Sequence, residues 1–262
     1  MSERKTANDF HPETMRLFDR YVHGDISRRD FLLAAAKFTV AGVTALSVLE
    51  ALTPNYALGQ QVKPDDNSIT TSFVEFPSPQ GNGTVRGYLV KPAKATGPLP
   101  VVLVVHENRG LNPHIEDVAR RFALAGFIAL APDALFPLGG YPGNEDQARE
   151  LFATLDQDKT RQDFLQSVAY LQQLAAGNGK VGVVGFCYGG GIANFLATEL
   201  PTLAAAVPFY GRQADLTKVA NIQAPLLIHF AENDERVNAT WPACEAALKA
   251  NGRPYEAHFY PG

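Results

Sequence analysis

The stretch "VGVVGFCYGGGIANFLATEL", Val181 to Leu200, decides how the chain reads. An apolar run, "VGVVGF", has the composition of a strand buried on both faces. Gly185-Phe186-Cys187-Tyr188-Gly189 interrupts it, and a helix-like segment follows at once. A cysteine between two glycines, at a strand-to-helix turn, fits the pattern G-x-nucleophile-x-G. The logic is steric. A nucleophile on a strained turn needs neighbours without side chains, and the turn lifts its side chain to the top of the sheet. The position also lies beside a helix N-terminus, whose partial positive charge favours a thiolate. The N–H of Tyr188 then points where an oxyanion forms.

Working outward, the segments alternate. "TTSFVEFPSPQGNGTVRGYLVKP" reads as a hairpin with a Gly/Asn turn. "LPVVLVVHENRG" is a β-branched strand, and "NPHIEDVARRFALAG" a helix with apolar Ile115, Val118, Phe122 and Ala125, stopped by Gly126. "FIALAPD" is another strand, and the glycine- and proline-rich "ALFPLGGYPGNED" a loop. Helices follow over roughly 146–155 and 159–175, then the strand and helix around Cys187. "LAAAVPFYG" and "APLLIHFAEND" are strands, "NATWPACEAALKANG" a helix and "YEAHFYPG" a last strand. This alternation predicts an α/β fold: a mostly parallel central sheet with helices on both faces. In such a sheet, reactive groups gather where strands end.

Two other readings of the elbow compete. Glycines after a strand can cradle a dinucleotide, but the run from Gly189 lacks the third glycine of G-x-G-x-x-G. The window that matches by letter, Gly177 to Gly182, leads into a strand instead of following one. A lone cysteine can also be a small core residue.

Bulk properties bound the rest. The chain has 262 residues, enough for one large α/β domain. A net charge of −4 without basic runs gives no reason to expect nucleic acid. Two cysteines, Cys187 and Cys244, do not make a disulfide framework. No H-E-x-x-H motif or Cys/His pair has metal-ligand spacing, so the sequence implies no metal, and no cofactor is called for.

Residues 1–60 form a separate segment. Ser27-Arg28-Arg29-Asp30-Phe31-Leu32 precedes a moderately apolar run, which resembles a twin-arginine (Tat) export signal. Ala57 and Gly59 offer small residues for cleavage. The alternative is a helix that stays on the protein, favoured by Lys37 within the apolar run, Glu50 at its end and the long polar lead. Lys37 also argues against a stable membrane span. A working leader places the protein in the periplasm; a retained helix leaves it in the cytoplasm.

With these residues assembled, the chain resembles the dienelactone hydrolase family, a cysteine-nucleophile branch of the α/β-hydrolase fold. The likeness covers 68–262 and is clearest from Val74 onward. Three motifs carry it: "HENRGLNPHIEDVARRFALAGFIALAPD", "GFCYGGG" and "FAENDERV". The resemblance implies hydrolysis of an ester or lactone through a cysteine acyl-enzyme. It makes Cys187 the nucleophile, Asp234 the acid that orients a histidine, and Glu107 a carboxylate at the thiol. It makes the N–H groups of Asn108 and Tyr188 the oxyanion donors. The residues agree: Glu107 and Asp234 both follow apolar strands, so both belong on the edge that carries Cys187. Read blandly, Glu107 is a surface partner of Arg109, and Asn233-Asp234 is turn chemistry.

A Cys-His-Asp triad needs a base. The family's histidine falls just past "HFYPG", where the chain stops at Gly262. His106 directly precedes Glu107; His229 and His258 lie within strands; His11, His23 and His114 read as solvated. The expectation is impaired turnover for the chain as given, and apolar sheet surface left bare where a closing helix would lie. By the resemblance, Arg149 matches a family arginine that grips a substrate carboxylate; Arg109 and Arg212, near strand ends, are further candidates for an acidic group. Two other functional classes stay open: a non-catalytic hydrolase-like binding protein, and a thiol redox sensor with Cys244 as resolving partner. Oligomeric state is not legible.

Overall fold

The structure, a computed structural model, describes residues 9–39, 43–53 and 56–261. Val40 to Gly42, within the apolar run of the leader-like segment, lie outside the described residues, as does Gly262. The chain divides into two compact units, Met1–Gly59 and Gln60–Gly262.

In the smaller unit, helices α1 (Pro12–His23), α2 (Arg28–Ala35) and α3 (Ala45–Leu52) are followed by one turn, α4 (Tyr56–Gly59). Ser27 caps α2 by a reciprocal bond with Asp30, and Thr44 caps α3 with Ser47 in the same way. Tyr21, Phe31, Ala35, Ala45 and Leu49 form a small core. Arg28 and Arg29 open α2 on its exposed side. No helix among the described residues is long and apolar enough to cross a membrane.

The larger unit is built on one eight-stranded sheet. Its strands are β1 (Ile69–Ser78), β2 (Gly83–Pro92), β3 (Leu99–Val105), β4 (Ile128–Pro132), β5 (Gly177–Phe186), β6 (Ala205–Phe209), β7 (Leu226–Ala231) and β8 (Tyr255–Tyr260). The spatial order is β1-β2-β4-β3-β5-β6-β7-β8. The predicted hairpin β1–β2 is antiparallel, as is β2–β4; every other pairing is parallel.

Helices cover both faces, as the alternation predicted. On one, α6 (Glu145–Phe152), α7 (Gln157–Gln172), α8 (Tyr188–Glu199) and α10 (Trp241–Ala250) bury Leu103, Leu130, Val183, Ile228 and Phe230. On the other, α5 (Pro113–Leu124) packs over β2, β3 and β4 through Ile115, Val118 and Ala119. Asp117 and Arg120 of α5 also fix where the unit begins. Asp117 accepts the N–H groups of Gln61 and Val62, and Arg120 Nε donates to the Val62 carbonyl at 2.8 Å. The helix predicted over 238–252 is α10, with Pro242 in its first turn, and one further turn, α9 (Glu235–Asn238), precedes it, capped by Asp234.

Along the α5 face, Phe186, Phe209, His229 and His258 stand in register across β5 to β8. Their rings stack, Phe209 on His229 at 4.2 Å and His229 on His258 at 5.7 Å. These residues are half-buried, and Tyr260 beyond them is exposed. Among the described residues of this unit, α5 is the helix of that face and it does not extend over β6 to β8.

Candidate active site

The chain leaves β4 and returns on β5 at the far side of β3, so the strand order reverses between β3 and β5. In open α/β sheets this is where ligands bind, at the carboxyl ends of the strands. Glu107 follows β3 and Cys187 follows β5, so the topology brings both to that point.

Cys187 has φ +52° and ψ −109°, a conformation that non-glycine residues rarely adopt. Sparsely populated backbone of this kind concentrates at functional sites. The turn is held by the sheet itself: the Cys187 N–H donates to the Phe209 carbonyl at 3.0 Å. The flanking glycines are steric necessities. A side chain at Gly185 would strike the Gly189 carbonyl, and one at Gly189 would strike the carbonyl oxygens of Val105 and His106. Gly190 and Gly211 also approach each other too closely for a side chain at either, which seats the first turn of α8 on the loop after β6. Cys187 is half-buried and its thiol is free. Cys244, also free, is 2% exposed within the core around Trp241 and Leu248, and burial pushes its thiol pKa up.

Glu107 is bound by two donors. Arg109 Nη1 donates to Oε2 at 2.9 Å, and the Tyr210 hydroxyl donates to Oε1 at 3.2 Å. The pairing with Arg109 exists, but not at the surface: the two side chains are 13% and 23% exposed for Arg109 and Glu107 respectively. Arg109 reaches on through Nε to Glu145 at 2.5 Å, and Tyr141 donates to the other Glu145 oxygen at 2.8 Å. A chain of polar contacts thus runs Tyr210–Glu107–Arg109–Glu145–Tyr141.

Tyr210, directly after β6, has φ +38°. Burial, then the neighbouring charges of Glu107 and Cys187, raise its phenol pKa far above the usual value, so its hydroxyl is a lasting donor. Sequence reading missed Tyr210, Tyr141 and Glu145. A tyrosine just past a strand at the catalytic edge, in "PFYGRQ", is the signal for the first; nothing in the composition of the glycine-rich loop singles out the others.

Asn108 follows Glu107 in the loop after β3, and Tyr188 opens α8. Their main chains therefore flank the β3–β5 crevice. The Tyr188 side chain points away into the core, against Phe152 and Phe164, and its hydroxyl is buried with no hydrogen-bond partner.

Asp234 follows β7 on the same sheet edge. Its Oδ1 accepts the Val237 N–H at 3.0 Å and caps α9. The turn role is real, and the position after β7 is the one expected of the acid.

The histidines sort differently from expectation. His106 is fully buried. Its Nδ1 donates to the Glu107 carbonyl at 2.5 Å and its Nε2 accepts the Ala134 N–H at 3.1 Å, so the ring is neutral and structural. Burial holds its pKa below the usual value. His114, expected to be solvated, is half-buried at the start of α5, and burial, then the Arg121 charge, hold its pKa below the usual value. His229 bonds Tyr260 at 3.0 Å, and His258 pairs with Glu256 at 2.7 Å.

Of the three arginines proposed for an acidic group, Arg109 is bound to two carboxylates, Arg149 pairs with Asp146 three residues earlier on α6, and Arg212 is exposed.

Comparison with known proteins meets this geometry. The dienelactone hydrolase family profile matches residues 85–262. The chain belongs to the dienelactone hydrolase family. A YqhI-like profile matches residues 1–37. A protein of Escherichia coli K12 named "Putative hydrolase fragment YghX" is 60% identical over 114 residues, 44% of this chain and 97% of that protein. A second from the same organism, "Putative carboxymethylenebutenolidase", is 30% identical over 76% of this chain and 78% of its own length. Among solved structures, the "Putative Dienelactone Hydrolase" of Klebsiella pneumoniae aligns with a TM-score of 0.63 at 27% identity, over 74% of this chain and 86% of that one. Membership of the dienelactone hydrolase family makes the chain an α/β-fold hydrolase of carboxylic esters or lactones.

Proposed function

We propose that this dienelactone hydrolase family member cleaves an ester or lactone through a thioester on Cys187. The thiol sulfur adds to the carbonyl carbon, and the oxyanion is met by the N–H groups of Asn108 and Tyr188. Collapse expels the alcohol oxygen, which takes the proton the thiol gave up. Water then adds to the thioester carbonyl, and the acid leaves with the thiol restored. Glu107, held by Arg109 and Tyr210, stands as the carboxylate at the thiol, and Asp234 as the acid of the triad. The observation that carries the reading is the strained Cys187 turn, fixed between two glycines that admit no side chain, at the strand-end crevice that Glu107 also borders.

The test is p-nitrophenyl acetate. The expected result is an acetyl group on the peptide that contains Cys187, found by mass spectrometry after an acid quench, and no acetylation there in Cys187→Ala. Acetylation elsewhere, or p-nitrophenol release undiminished by Cys187→Ala, would sink the assignment. The binding-protein reading has no observation in its favour. A sensor pairing Cys187 with Cys244 is opposed by the burial of Cys244 in the core. We propose residues 1–60 as an export leader, a reading supported by the exposed Arg28-Arg29 pair that opens α2.

A further inference from the structure

His106 directly follows β3 and has no exposed surface. A buried imidazole costs free energy unless its nitrogens are bonded. Here both are. Nε2 accepts the Ala134 N–H at 3.1 Å, which ties the ring to the chain leaving β4 and places the ring proton on Nδ1. Nδ1–H donates to the Glu107 carbonyl at 2.5 Å. That carbonyl and the Asn108 N–H belong to one peptide unit. The unit is planar and trans, so the two groups point in opposite directions and can only turn together. Holding the carbonyl therefore fixes the direction of the N–H. It also makes the N–H a better donor, because hydrogen bonds in series polarise one another.

The same residue packs on the second donor. Its ring lies nearly parallel to that of Tyr188, with 6.5 Å between centroids and 15° between planes. Phe152 and Phe164 pack against both rings. The His106 carbonyl stands where a side chain at Gly189 would fall, so its main chain closes on the first turn of α8. The spacing between the Asn108 and Tyr188 peptides is thus set by contacts around one imidazole. We propose that His106 is a positioning residue for the oxyanion hole: by binding the Glu107 carbonyl it holds the Asn108 N–H at the angle that meets the oxyanion. This role rests on Cys187 as nucleophile and on Asn108 and Tyr188 as donors. His106 touches no substrate and exchanges no proton; it acts through the peptide it holds.

Two reactions of the same thiol separate this role from a merely structural one. Acetylation by p-nitrophenyl acetate passes through an oxyanion; alkylation by iodoacetamide, at a saturated carbon, does not. Both rates are followed at the Cys187 peptide by mass spectrometry, on the full chain. An asparagine amide can donate from near the position of Nδ1, and a glutamine amide can accept near the position of Nε2. His106→Asn keeps a donor for the Glu107 carbonyl and is expected to acetylate at close to the wild-type rate. His106→Gln keeps the acceptor for Ala134 and loses that donor. Its acetylation is expected to slow by about tenfold to a hundredfold, less than removal of an oxyanion donor costs, with alkylation unchanged. Equal acetylation in the two variants, or acetylation and alkylation slowed in proportion, overturns the proposal. If either variant does not fold, the wild-type chain decides: nuclear magnetic resonance with isotope-labelled histidine is expected to find the His106 proton on Nδ1. A proton on Nε2 would break the bond to Glu107 and refute the role. A wild-type Cys187 that is alkylated but never acetylated overturns the nucleophile reading instead, and the positioning role with it.

Discussion

Tyr188 separates two roles within one residue. Its main chain starts α8 beside Cys187, while its hydroxyl is sealed among Phe152 and Phe164 without a partner. A buried hydroxyl that bonds nothing costs about 1–3 kcal/mol. Tyr188→Phe is therefore expected to hold or raise stability, by up to about 1 kcal/mol in urea denaturation, and to leave Cys187 acetylation unchanged. A large loss of acetylation would mean that the phenol, and not the N–H, serves the reaction. His106 gives a pH test. Its folded-state pKa is depressed, chiefly by burial. Above about pH 6.5 the ring is neutral folded and unfolded, and makes no pH-dependent contribution. Below that, the unfolded chain takes up the proton first, so stability falls by up to about 1.4 kcal/mol per pH unit from this residue. His106→Asn should be less stable at pH 7.5 yet lose less between pH 6.5 and 5. Parallel curves for the two proteins would refute the account. At this scale the sequence was readable where a motif constrained it. Cys187, Glu107 and Asp234 each follow a strand that ends at the catalytic edge. Tyr210 and Glu145 were not readable, because they become partners of Glu107 and Arg109 only through tertiary packing across long sequence separations.

The element that sets the geometry is the first turn of α8. Its glycines let the helix settle onto the ends of β3 and β6, with Gly189 against the Val105 and His106 carbonyls. Gly189→Ala must push these strands apart or shift the turn. A cost of about 1–3 kcal/mol is expected, from overpacking without relief. The thiol should lose its alignment as well, so Cys187 acetylation should slow by more than the stability loss explains. An Ala variant with native stability and native acetylation would show that the turn has slack. Most elements were legible in sequence because period and punctuation agreed: β-branched runs for β3 and β7, Asn112 and Gly126 at the ends of α5. Where they disagreed, the reading blurred. The helix read near Trp241 is α10, but the turn α9 before it went unread, because Asp234 caps it through a local side-chain bond that hydrophobic spacing does not report.

For the molecule as a whole, the two faces of the sheet are unequal. One is covered along its length by α6, α7, α8 and α10; the other has α5 over β2 to β4 and half-buried Val207, Phe209, Leu227 and His229 beyond. Such a patch binds apolar probes and other proteins. The native protein is expected to enhance the fluorescence of an anilinonaphthalene dye, and Leu227→Lys to reduce it without altering the far-ultraviolet circular dichroism. An absence of dye binding would show that this surface is covered in solution.

The sheet also has a margin. Among the described residues β8 is last in the strand order, and Tyr255–Tyr260 bonds to β7 along one side. Its outer row of amides and carbonyls faces away from the sheet, with Phe259 and Tyr260 half-exposed above and below. Two such borders brought together in a crowded tube can knit, amide to carbonyl, into one ribbon of double width. Association that grows with concentration in sedimentation velocity, and recedes in a moderately chaotropic buffer, is the expected sign of that pairing.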